Sequence, residues 1–549
     1  MSFLETIFES LARARDTVVL QELRSGEALA VTGGQLLDHV RQAQGYLRKQ
    51  NLQRGDRCGL LGGNSVRWIA LDLAMMAEGL IVVPLYARQA PAELVAMLKD
   101  CSPAAIFCGD AGLRDGITQA WPEAPRQFLF DEIFAEKTSV SPGGPLSADD
   151  AVTIIYTSGT SGDAKGVVLS AGNIEHMLRC TSGRLNLLMA GSTGQDRVFH
   201  YLPFGFAGSW ILLLTSLMRG SLLTMNSDLS KLSHEMRMAA PDYFLNVPAL
   251  LERMRKAVDE QLWRAGGFPQ QVYRRAKGAW MRELEKGATV GDRFWLGLAR
   301  AIIFPAIRKK MIGPRLKALI CGSAPLSVET QLYFAMLGIP VLQVYGLTET
   351  TAICTMDHPQ AAQPGRVGPA IDGVEMELGE NEEILVRGPN IFPGYWKRPE
   401  ETARVLHDGW FHTGDQGEAD AAGNWRIIGR IKNLIILGSG HNVAPEPIED
   451  KLLEQLPGAQ QVVLTGNGRG YLAAIITGGV TAEQVQAALN AVNPTLPHYK
   501  QVRGFGIRAE AFSIENGMLT ANGKLKRDAI TARLKDEIEQ MYAASGARR

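Results

Sequence analysis

A stretch near the end of the first third of the chain combines glycines, hydroxyl side chains and one lysine in a pattern that suits phosphate binding. It reads YTSGTSGDAKG over residues 156–166. Glycines let the backbone adopt positive φ and approach a ligand closely, and successive N–H groups, hydroxyls and an ammonium group can then surround a polyphosphate. On composition alone, a mobile surface turn is the alternative. The residues that would contact phosphate are Thr157, Ser158, Gly159, Thr160, Ser161, Gly162 and Lys165.

Two apolar runs, residues 152–156 and 167–169, enter and leave this stretch. Their β-branched residues predict two strands with the loop between them. The spacing is not G-x-x-x-x-G-K-[ST], and a strand rather than a helix follows. A Walker-type phosphate loop is therefore excluded.

Further segments downstream combine with this loop into one resemblance. Residues 319–326, LICGSAPL, predict a buried strand that ends in small residues, which leave room for a flat ring. Residues 345–351 read YGLTETT, residues 409–415 read GWFHTGD and residues 515–527 read ENGMLTANGKLKR. In their order and spacing, these five segments resemble the motifs of the adenylate-forming (ANL) superfamily, which contains acyl-CoA synthetases, luciferases and peptide-synthetase adenylation domains.

The resemblance covers nearly the whole chain and has mild departures. The loop carries Ser161 and Ala164 where the family usually has threonine and proline. Ser161 keeps the hydroxyl, whereas the missing proline at Ala164 should loosen the loop slightly. The final motif, together with the NVAP segment at 442–445, is similar to the long-chain fatty acyl-CoA synthetases in particular. Its last basic residues, Lys526 and Arg527, are predicted to be solvated.

The resemblance implies ATP and Mg²⁺ as cofactors and gives several residues a role in binding them. Thr348 would hydrogen-bond the α-phosphate of ATP. Glu349 would hold Mg²⁺, because a hard cation prefers carboxylate oxygens. The residues that would border the adenine are Gly322, Ser323, Ala324 and Tyr345.

Four more residues take their roles from the same resemblance. Asp415 would accept hydrogen bonds from both ribose hydroxyls, and Arg430 would make the second contact to ribose and phosphate. Lys524 matches the catalytic lysine of the family, and Lys432 matches the residue at which family members pivot. On their own, Asp415 would be interpreted as a turn-capping residue and Arg430 as a surface cation.

The implied activity is a two-step ligation of a carboxylic acid to coenzyme A through an acyl-AMP intermediate. The attacking carboxylate is already ionised at neutral pH, so no general base is needed and the residues must offset charge on two converging anions. Ligases that load an acyl carrier protein resemble this family but carry an insertion after the hinge. Residues 430–449 are compact, which favours CoA and keeps the carrier protein as an alternative acceptor. A non-catalytic nucleotide-binding protein is disfavoured because Glu349, Asp415 and Lys524 are all present.

Residues 201–208, YLPFGFAG, bear on which acid is the substrate. In acyl-CoA synthetases this stretch often has a histidine three residues after the proline, where this chain has Phe206. We interpret Phe206 and Trp210 as apolar walls of an acyl pocket, with a buried core aromatic as the alternative for Phe206. This predicts a fatty acid of medium to long chain, with an aryl acid as the alternative.

The length of 549 residues predicts at least two domains. We expect an α/β fold with a large multi-layer adenylation domain at 1–429, a hinge at 430–432 and a small mobile α+β domain at 433–549 that carries Lys524. Lys and Arg together number 57, as do Asp and Glu, which disfavours nucleic acid as a partner.

Cysteine usage and hydropathy predict a cytoplasmic enzyme. The six cysteines form no CxxC pair and have mostly apolar neighbours, as expected for buried reduced thiols without structural zinc. No signal pattern opens the chain, and the most apolar run, residues 210–218, is too short to span a bilayer. Residues 261–310 are amphipathic and rich in Arg and Lys. They predict a solvated helical hairpin, with peripheral contact to a membrane surface as the alternative.

Overall fold

The computed structural model describes residues 2–24, 27–135, 140, 144–157, 164–285, 287–520 and 523–546. The strands formed by these residues are β1 (Val18–Arg24), β2 (Glu27–Thr32), β3 (Arg57–Leu61), β4 (Ile81–Leu85), β5 (Ala105–Cys108), β6 (Gln127–Leu129), β7 (Ala151–Thr157), β8 (Lys165–Ser170), β9 (Arg197–His200), β10 (Leu222–Asn226), β11 (Tyr243–Asn246), β12 (Ala318–Cys321), β13 (Val341–Tyr345), β14 (Thr355–Met356), β15 (Glu375–Leu378), β16 (Glu383–Arg387), β17 (Gly394–Tyr395), β18 (Leu406–His407), β19 (Trp410–Ala419), β20 (Trp425–Arg430), β21 (Ile435–Ile436), β22 (Asn442–Val443), β23 (Ala459–Thr465), β24 (Leu472–Gly478) and β25 (Val502–Arg508).

The α-helices of the same residues are α1 (Phe3–Arg13), α2 (Gly33–Arg48), α3 (Val66–Ala77), α4 (Pro91–Cys101), α5 (Ala111–Ala120), α6 (Phe130–Ile133), α7 (Ala171–Met189), α8 (Ala207–Arg219), α9 (Leu232–Ala239), α10 (Pro248–Ala265), α11 (Gly267–Leu284), α12 (Val290–Leu298), α13 (Phe304–Met311), α14 (Val328–Met336), α15 (Pro399–Val405), α16 (Glu446–Gln455), α17 (Ala482–Val492), α18 (Arg527–Arg533) and α19 (Lys535–Gly546).

Two mostly parallel sheets form the body of the larger domain. One has the strand order β14-β13-β12-β11-β9-β10-β1-β2, and the other has the order β17-β8-β7-β4-β3-β5-β6. Helices α3 and α8 are buried nearly all round and belong to the core that both sheets share, as expected for helices that are apolar on every face. Strands β7, β12 and β13 end at Thr157, Cys321 and Tyr345, so three predicted motifs follow the carboxyl ends of sheet strands, where ligands of such folds bind.

A third sheet supplies the strands that carry the last motifs of the large domain. Its order is β15-β16-β19-β18, and β20 pairs with β19. The antiparallel register places Asp415 directly opposite Arg430. The sheet therefore brings an acid and a base from different motifs into one pair.

The small domain has its own cores. Strands β23, β24 and β25 form a three-stranded sheet, whose two faces bury separate apolar clusters against helices α16 and α17 and against α18 and α19. This confirms the predicted α+β unit, and with the sheets above it confirms the predicted α/β fold class.

Local sequence signals were reliable where a cap or turn residue marks the boundary. Ser170, a residue type that favours the N-cap position, caps α7 through a capping box, and the uninterrupted apolar run at 81–85 forms β4. All six cysteines are free and buried, which confirms the prediction of buried thiols. Among the described residues, no helix is both long and apolar enough to cross a membrane.

The predicted helical hairpin at 261–310 is wrong. This region contains the end of α10 and the helices α11, α12 and α13, with a π-helical turn, Ala299–Ile303, between the last two. Gly266 and Gly267 both adopt positive φ, which ends α10 and starts α11. Thr289 then starts α12 with a capping box, so the chain turns more often than the hydrophobic period indicates.

Candidate active site

The phosphate loop joins two antiparallel strands. Strand β7 ends at Thr157 and β8 begins at Lys165, and these two residues face each other in register. The two strands that were predicted to flank the loop are thus confirmed. The predicted phosphate-binding residues Ser158, Gly159, Thr160, Ser161 and Gly162 lie outside the described residues.

Two residues later in the chain, Glu401 and Tyr395, contact the Lys165 side chain. Its ammonium group forms an ion pair with Glu401 and lies 5.3 Å from the centre of the Tyr395 ring. The hydrogen bond from Lys165 lowers the pKa of the Glu401 carboxyl. Strand β17, which carries Tyr395, pairs with β8, so the same sheet edge positions the lysine and the aromatic ring.

Glu349 lies in a short 3₁₀ turn, Thr348–Thr350, directly after β13. Its Oε1 accepts a hydrogen bond of 2.8 Å from the Tyr395 hydroxyl. Gly346 permits this turn, because a Cβ at that position would lie 2.4 Å from the backbone of Ala352 and Ile353. Tyr395 therefore joins the Glu349 carboxylate to the lysine of the phosphate loop, a connection that the motifs did not predict.

Asp415 is buried, with 4% of its surface exposed, and it bonds through both carboxylate oxygens. The Tyr345 hydroxyl donates to Oδ2 over 2.7 Å, and Arg430 Nε lies 2.6 Å from Oδ1. Burial raises the pKa of Asp415, whereas Arg430 and Tyr345 stabilise the carboxylate. The structure thus brings together three residues that were predicted to surround the nucleoside.

The residues after β12 form an open ledge beside this cluster. Gly322 is buried, whereas Ser323 and Ala324 are exposed. A Cβ at Gly322 would lie 2.6 Å from a methyl group of Val344 on the neighbouring strand β13. Ser323 has a φ of 73°, an unfavourable conformation for a residue with a side chain and one that is frequent at functional sites. The ledge has the small side chains that a flat ring needs.

Lys524 approaches the same cluster from the small domain. Its pKa is lowered, first because protein surrounds the ammonium group and next because of Arg430, while Asp415 and Glu349 act in the opposite direction. The residue as a whole is nevertheless exposed. A tight turn presents it: Lys524 N–H donates to Thr520 Oγ1 over 3.1 Å, and Thr520 N–H donates to the Lys524 carbonyl over 2.8 Å.

The family model described as AMP-binding enzyme matches residues 7–396, and the model described as AMP-binding enzyme C-terminal domain matches residues 432–546. The chain belongs to the AMP-binding enzyme family. Membership confirms the predicted class, an AMP-forming acid–thiol ligase of the adenylate-forming superfamily.

Full-length relatives and solved structures agree with this membership. The chain is 25% identical to the long-chain-fatty-acid–CoA ligase FadD15 of Mycobacterium tuberculosis, over 98% of this chain and 96% of that protein. It is 26% identical to the long-chain-fatty-acid–CoA ligase ACSBG2 of Gallus gallus, over 98% of this chain and 81% of that protein. The A domain of carboxylic acid reductase from Segniliparus rugosus, solved with AMP and a co-purified carboxylic acid, superposes with a TM-score of 0.77 at 21% identity over 99% of this chain and 94% of that one.

A second solved structure was determined with nucleotide and metal. O-succinylbenzoate coenzyme A synthetase (MenE) from Bacillus subtilis, in complex with ATP and magnesium ion, superposes with a TM-score of 0.72 at 20% identity over 94% of this chain and 98% of that one. At this identity, the two solved structures show that the AMP-binding enzyme described here shares their fold.

The predicted pivot and the small domain that follows it contain charged groups whose surroundings the sequence did not reveal. Lys432 lies in the turn Ile431–Asn433, and its pKa is lowered to about 8, mainly by burial and then by Arg430. Arg527 was predicted to be solvated, and this is wrong. It donates to both carboxylate oxygens of Glu449, which is 4% exposed, because a buried carboxylate requires a partner of opposite charge.

The two residues predicted to line the acyl pocket occupy different environments. Phe206 is half-buried at the start of α8, and its ring centre lies 5.7 Å from that of Tyr86. Trp210 has no exposed surface and donates its indole N–H to Asp72 Oδ2 over 2.8 Å. The expectation that Trp210 lines the pocket is therefore corrected: the hydrogen bond to α3 places its ring in the core between the sheets.

Proposed function

We propose that this AMP-binding enzyme activates a fatty acid of medium to long chain and transfers it to coenzyme A. In the first half-reaction a carboxylate oxygen attacks the α-phosphorus of ATP, and the bond to pyrophosphate breaks. In the second, the sulfur of CoA attacks the acyl carbonyl carbon, and AMP leaves. The observation that carries the proposal is that Asp415 contacts Tyr345 and Arg430 and that Glu349 contacts Tyr395, while Arg430, Asp415 and Glu349 all act on the pKa of Lys524 in the small domain.

The nucleoside would bind between the ledge and the ion pair of Asp415 with Arg430. The ledge Gly322–Ala324 and Tyr345 would border the adenine. Asp415 accepts a hydrogen bond from the Tyr345 hydroxyl and pairs with Arg430, so its carboxyl group is already oriented for the ribose hydroxyls. Oriented groups lose little freedom when the ligand binds, which favours affinity.

The metal and phosphate side would be formed by Glu349, Thr348, Lys165 and Tyr395. Among the described residues, no group of three or more His, Cys, Asp or Glu side chains could hold a metal ion. A nucleotide site does not need one, because Mg²⁺ is commonly held by one or two carboxylates together with phosphate oxygens and water. Tyr395 orients the Glu349 carboxylate through Oε1, and Glu349 would hold the metal, which would neutralise charge on the triphosphate.

Lys524 would place a positive charge beside the attacking carboxylate and the α-phosphate. Removing one such donor from a site of this kind typically raises the barrier by about 3 kcal/mol. The acid itself would lie against the apolar surface formed by Phe206 and Tyr86. Each buried methylene contributes about 0.8 kcal/mol, so longer chains should be favoured until the pocket is full. The names of the full-length relatives support a long-chain acid.

A panel of acids tests this proposal. ATP–pyrophosphate exchange should be supported by fatty acids, with kcat/KM rising with chain length and then levelling, and AMP release should require CoA. A clear preference for benzoate- or cinnamate-like acids would contradict the fatty-acid assignment. If the enzyme exchanges pyrophosphate and acylates a carrier protein but forms no thioester with CoA, the assignment of CoA as the acyl acceptor would be contradicted.

A further inference from the structure

Exposed apolar side chains are concentrated on the helical unit formed by α10, α11, α12 and α13. Each exposed Trp or Phe side chain that the structure describes lies there: Trp263 with 77% of its surface exposed, Phe268 with 60% and Phe294 with 63%. Val290, at 85%, and Ile302, at 55%, are on the same unit. Single exposed apolar residues are ordinary on a protein surface, but such a concentration marks an interaction site.

The solvent face of α12 carries exposed apolar residues flanked by the exposed Arg293 and Arg300. Val290, Phe294 and Gly297 follow one another at the spacing of one helix face and are exposed, and Ala301 and Ile302 continue the surface into the π-helical turn. The opposite face, with Leu296 and Ala299, is buried in the core of the unit. The helix therefore buries one apolar face and presents a second one to solvent, the reverse of an ordinary amphipathic surface helix.

The adjoining ends of α10 and α11 add two more aromatic rings. Trp263 and Phe268 flank the glycine pair at 266–267. The face of α11 that packs inward is secured by buried residues such as Val272 and Ala276. The helices that carry the exposed rings thus pack against the rest of the protein through their opposite, buried faces.

The charge of the same region is strongly positive. Residues 248–311 contain fourteen Lys and Arg against six Asp and Glu, whereas the rest of the chain has 43 basic and 51 acidic residues. Four of the six acids are paired within the unit: Asp259 with Lys277, Glu260 with Arg264, Glu283 with Arg300 and Asp292 with Arg282. A positive excess therefore remains on the helices that carry the aromatic rings, including the exposed Arg274 and Lys309.

We propose that this unit, residues 248–311, is a docking surface for an anionic lipid bilayer. Aromatic side chains suit the boundary between headgroups and acyl chains, and Lys and Arg near them are attracted to anionic lipid phosphates. The contact is peripheral, as for interfacial amphipathic helices, in keeping with helices that are too short or too polar to span. The proposal does not depend on the identity of the acid. A uniformly anionic bilayer surface complements this one-sided positive charge over the whole unit.

Vesicle co-sedimentation of the full chain tests the docking surface. We expect binding to vesicles with about one third phosphatidylglycerol in phosphatidylcholine to be at least about tenfold tighter than to phosphatidylcholine alone, and to weaken at about 0.5 M salt. The triple variant Trp263→Ser/Phe268→Ser/Phe294→Ser should lose about tenfold or more in affinity. A charge variant, Arg274→Glu/Lys309→Glu, should lose the preference for the anionic lipid.

A matched control replaces exposed apolar residues elsewhere. The variant Leu29→Ser/Leu187→Ser/Leu229→Ser changes side chains that are 46–52% exposed and should bind vesicles like the unaltered protein. All variants should retain ATP–pyrophosphate exchange with a short, water-soluble acid. Absence of vesicle binding by the unaltered protein, or equal binding by both triple variants, would overturn the proposal. Concentration-dependent self-association that only the aromatic triple variant abolishes, without lipid, would assign the surface to a second copy of the chain instead.

Discussion

Replacing Tyr395 by phenylalanine removes one hydroxyl group and keeps the ring. The hydroxyl donates to Glu349 Oε1 over 2.8 Å, whereas the ring lies under the Lys165 ammonium at 5.3 Å and packs edge-on against Phe392 at 4.8 Å between ring centres. The variant therefore separates the orientation of the Glu349 carboxylate from the support of Lys165.

The size of the effect follows from the kind of bond. A hydrogen bond to a charged group contributes about 1.5–3 kcal/mol, and Tyr395 is only half-buried, so water can partly replace the hydroxyl and the lower value applies. A loss of about 1.4 kcal/mol is tenfold in rate. We predict that Tyr395→Phe lowers kcat/KM for ATP–pyrophosphate exchange about tenfold and raises the Mg²⁺ concentration needed for half-maximal rate. Tyr395→Ala, which also removes the ring beside Lys165, should lower exchange further.

Tyr273→Phe is the matched control, because its hydroxyl also donates to a carboxylate, Asp259, over 2.6 Å, in a helical region away from the site. It should leave exchange per folded molecule unchanged. If Tyr395→Phe exchanges pyrophosphate at the normal rate and with normal Mg²⁺ dependence, the hydroxyl does not orient the Glu349 carboxylate, and the role that we give Tyr395 is refuted.

Three further predictions concern the hinge, the acyl pocket and the core. Lys432→Pro should release pyrophosphate almost normally in the first turnover and form thioester poorly, because proline fixes φ at the pivot; equal activity in both halves would place the pivot elsewhere. Phe206→Ala should move the chain-length plateau of kcat/KM to longer acids, and an unchanged profile would remove Phe206 from the pocket wall. Burial raises the pKa of Asp72 from 3.8 to about 7, and the hydrogen bond from Trp210 acts against this shift. The folded state therefore favours the neutral carboxyl, whereas the unfolded state ionises it from about pH 4. The folded protein loses stability as the pH rises from about 4 to about 7. Thermal melts should therefore show Asp72→Asn gaining stability relative to the unaltered protein over that range, by up to about 4 kcal/mol, and a difference that does not vary with pH would contradict the shift.

Sequence patterns predicted those parts of the fold and site that depend on near neighbours. The cap at Ser170 and the strand β4 are set by residues within a few positions. The motif after β13 could be placed because a buried strand and a turn follow each other directly. Likewise, Asp415 and Arg430 belong to recognisable motifs and meet through a single hairpin pairing.

Contacts between distant residues were not predictable in the same way. Tyr395 meets Glu349 across 46 positions, and Arg527 meets Glu449 across 78. Nothing in the local pattern distinguishes a solvated arginine from one that neutralises a buried carboxylate. The position of Trp210 could not be predicted either, because an apolar run looks the same in the sequence whether it lines a pocket or fills a core. The hydrogen bond that places Trp210 in the core is made to Asp72, 138 positions away.

We propose that Lys524 serves only the first half-reaction, because it belongs to the small domain and its charge interacts with Glu349, Asp415 and Arg430 of the large one. The direct measurement is the rate of each half-reaction in Lys524→Ala. We predict that ATP–pyrophosphate exchange falls by at least about 100-fold, the equivalent of about 3 kcal/mol, while supplied acyl-AMP is converted to acyl-CoA at close to the normal rate. Equal loss of both half-reactions in a variant that remains folded would contradict the account.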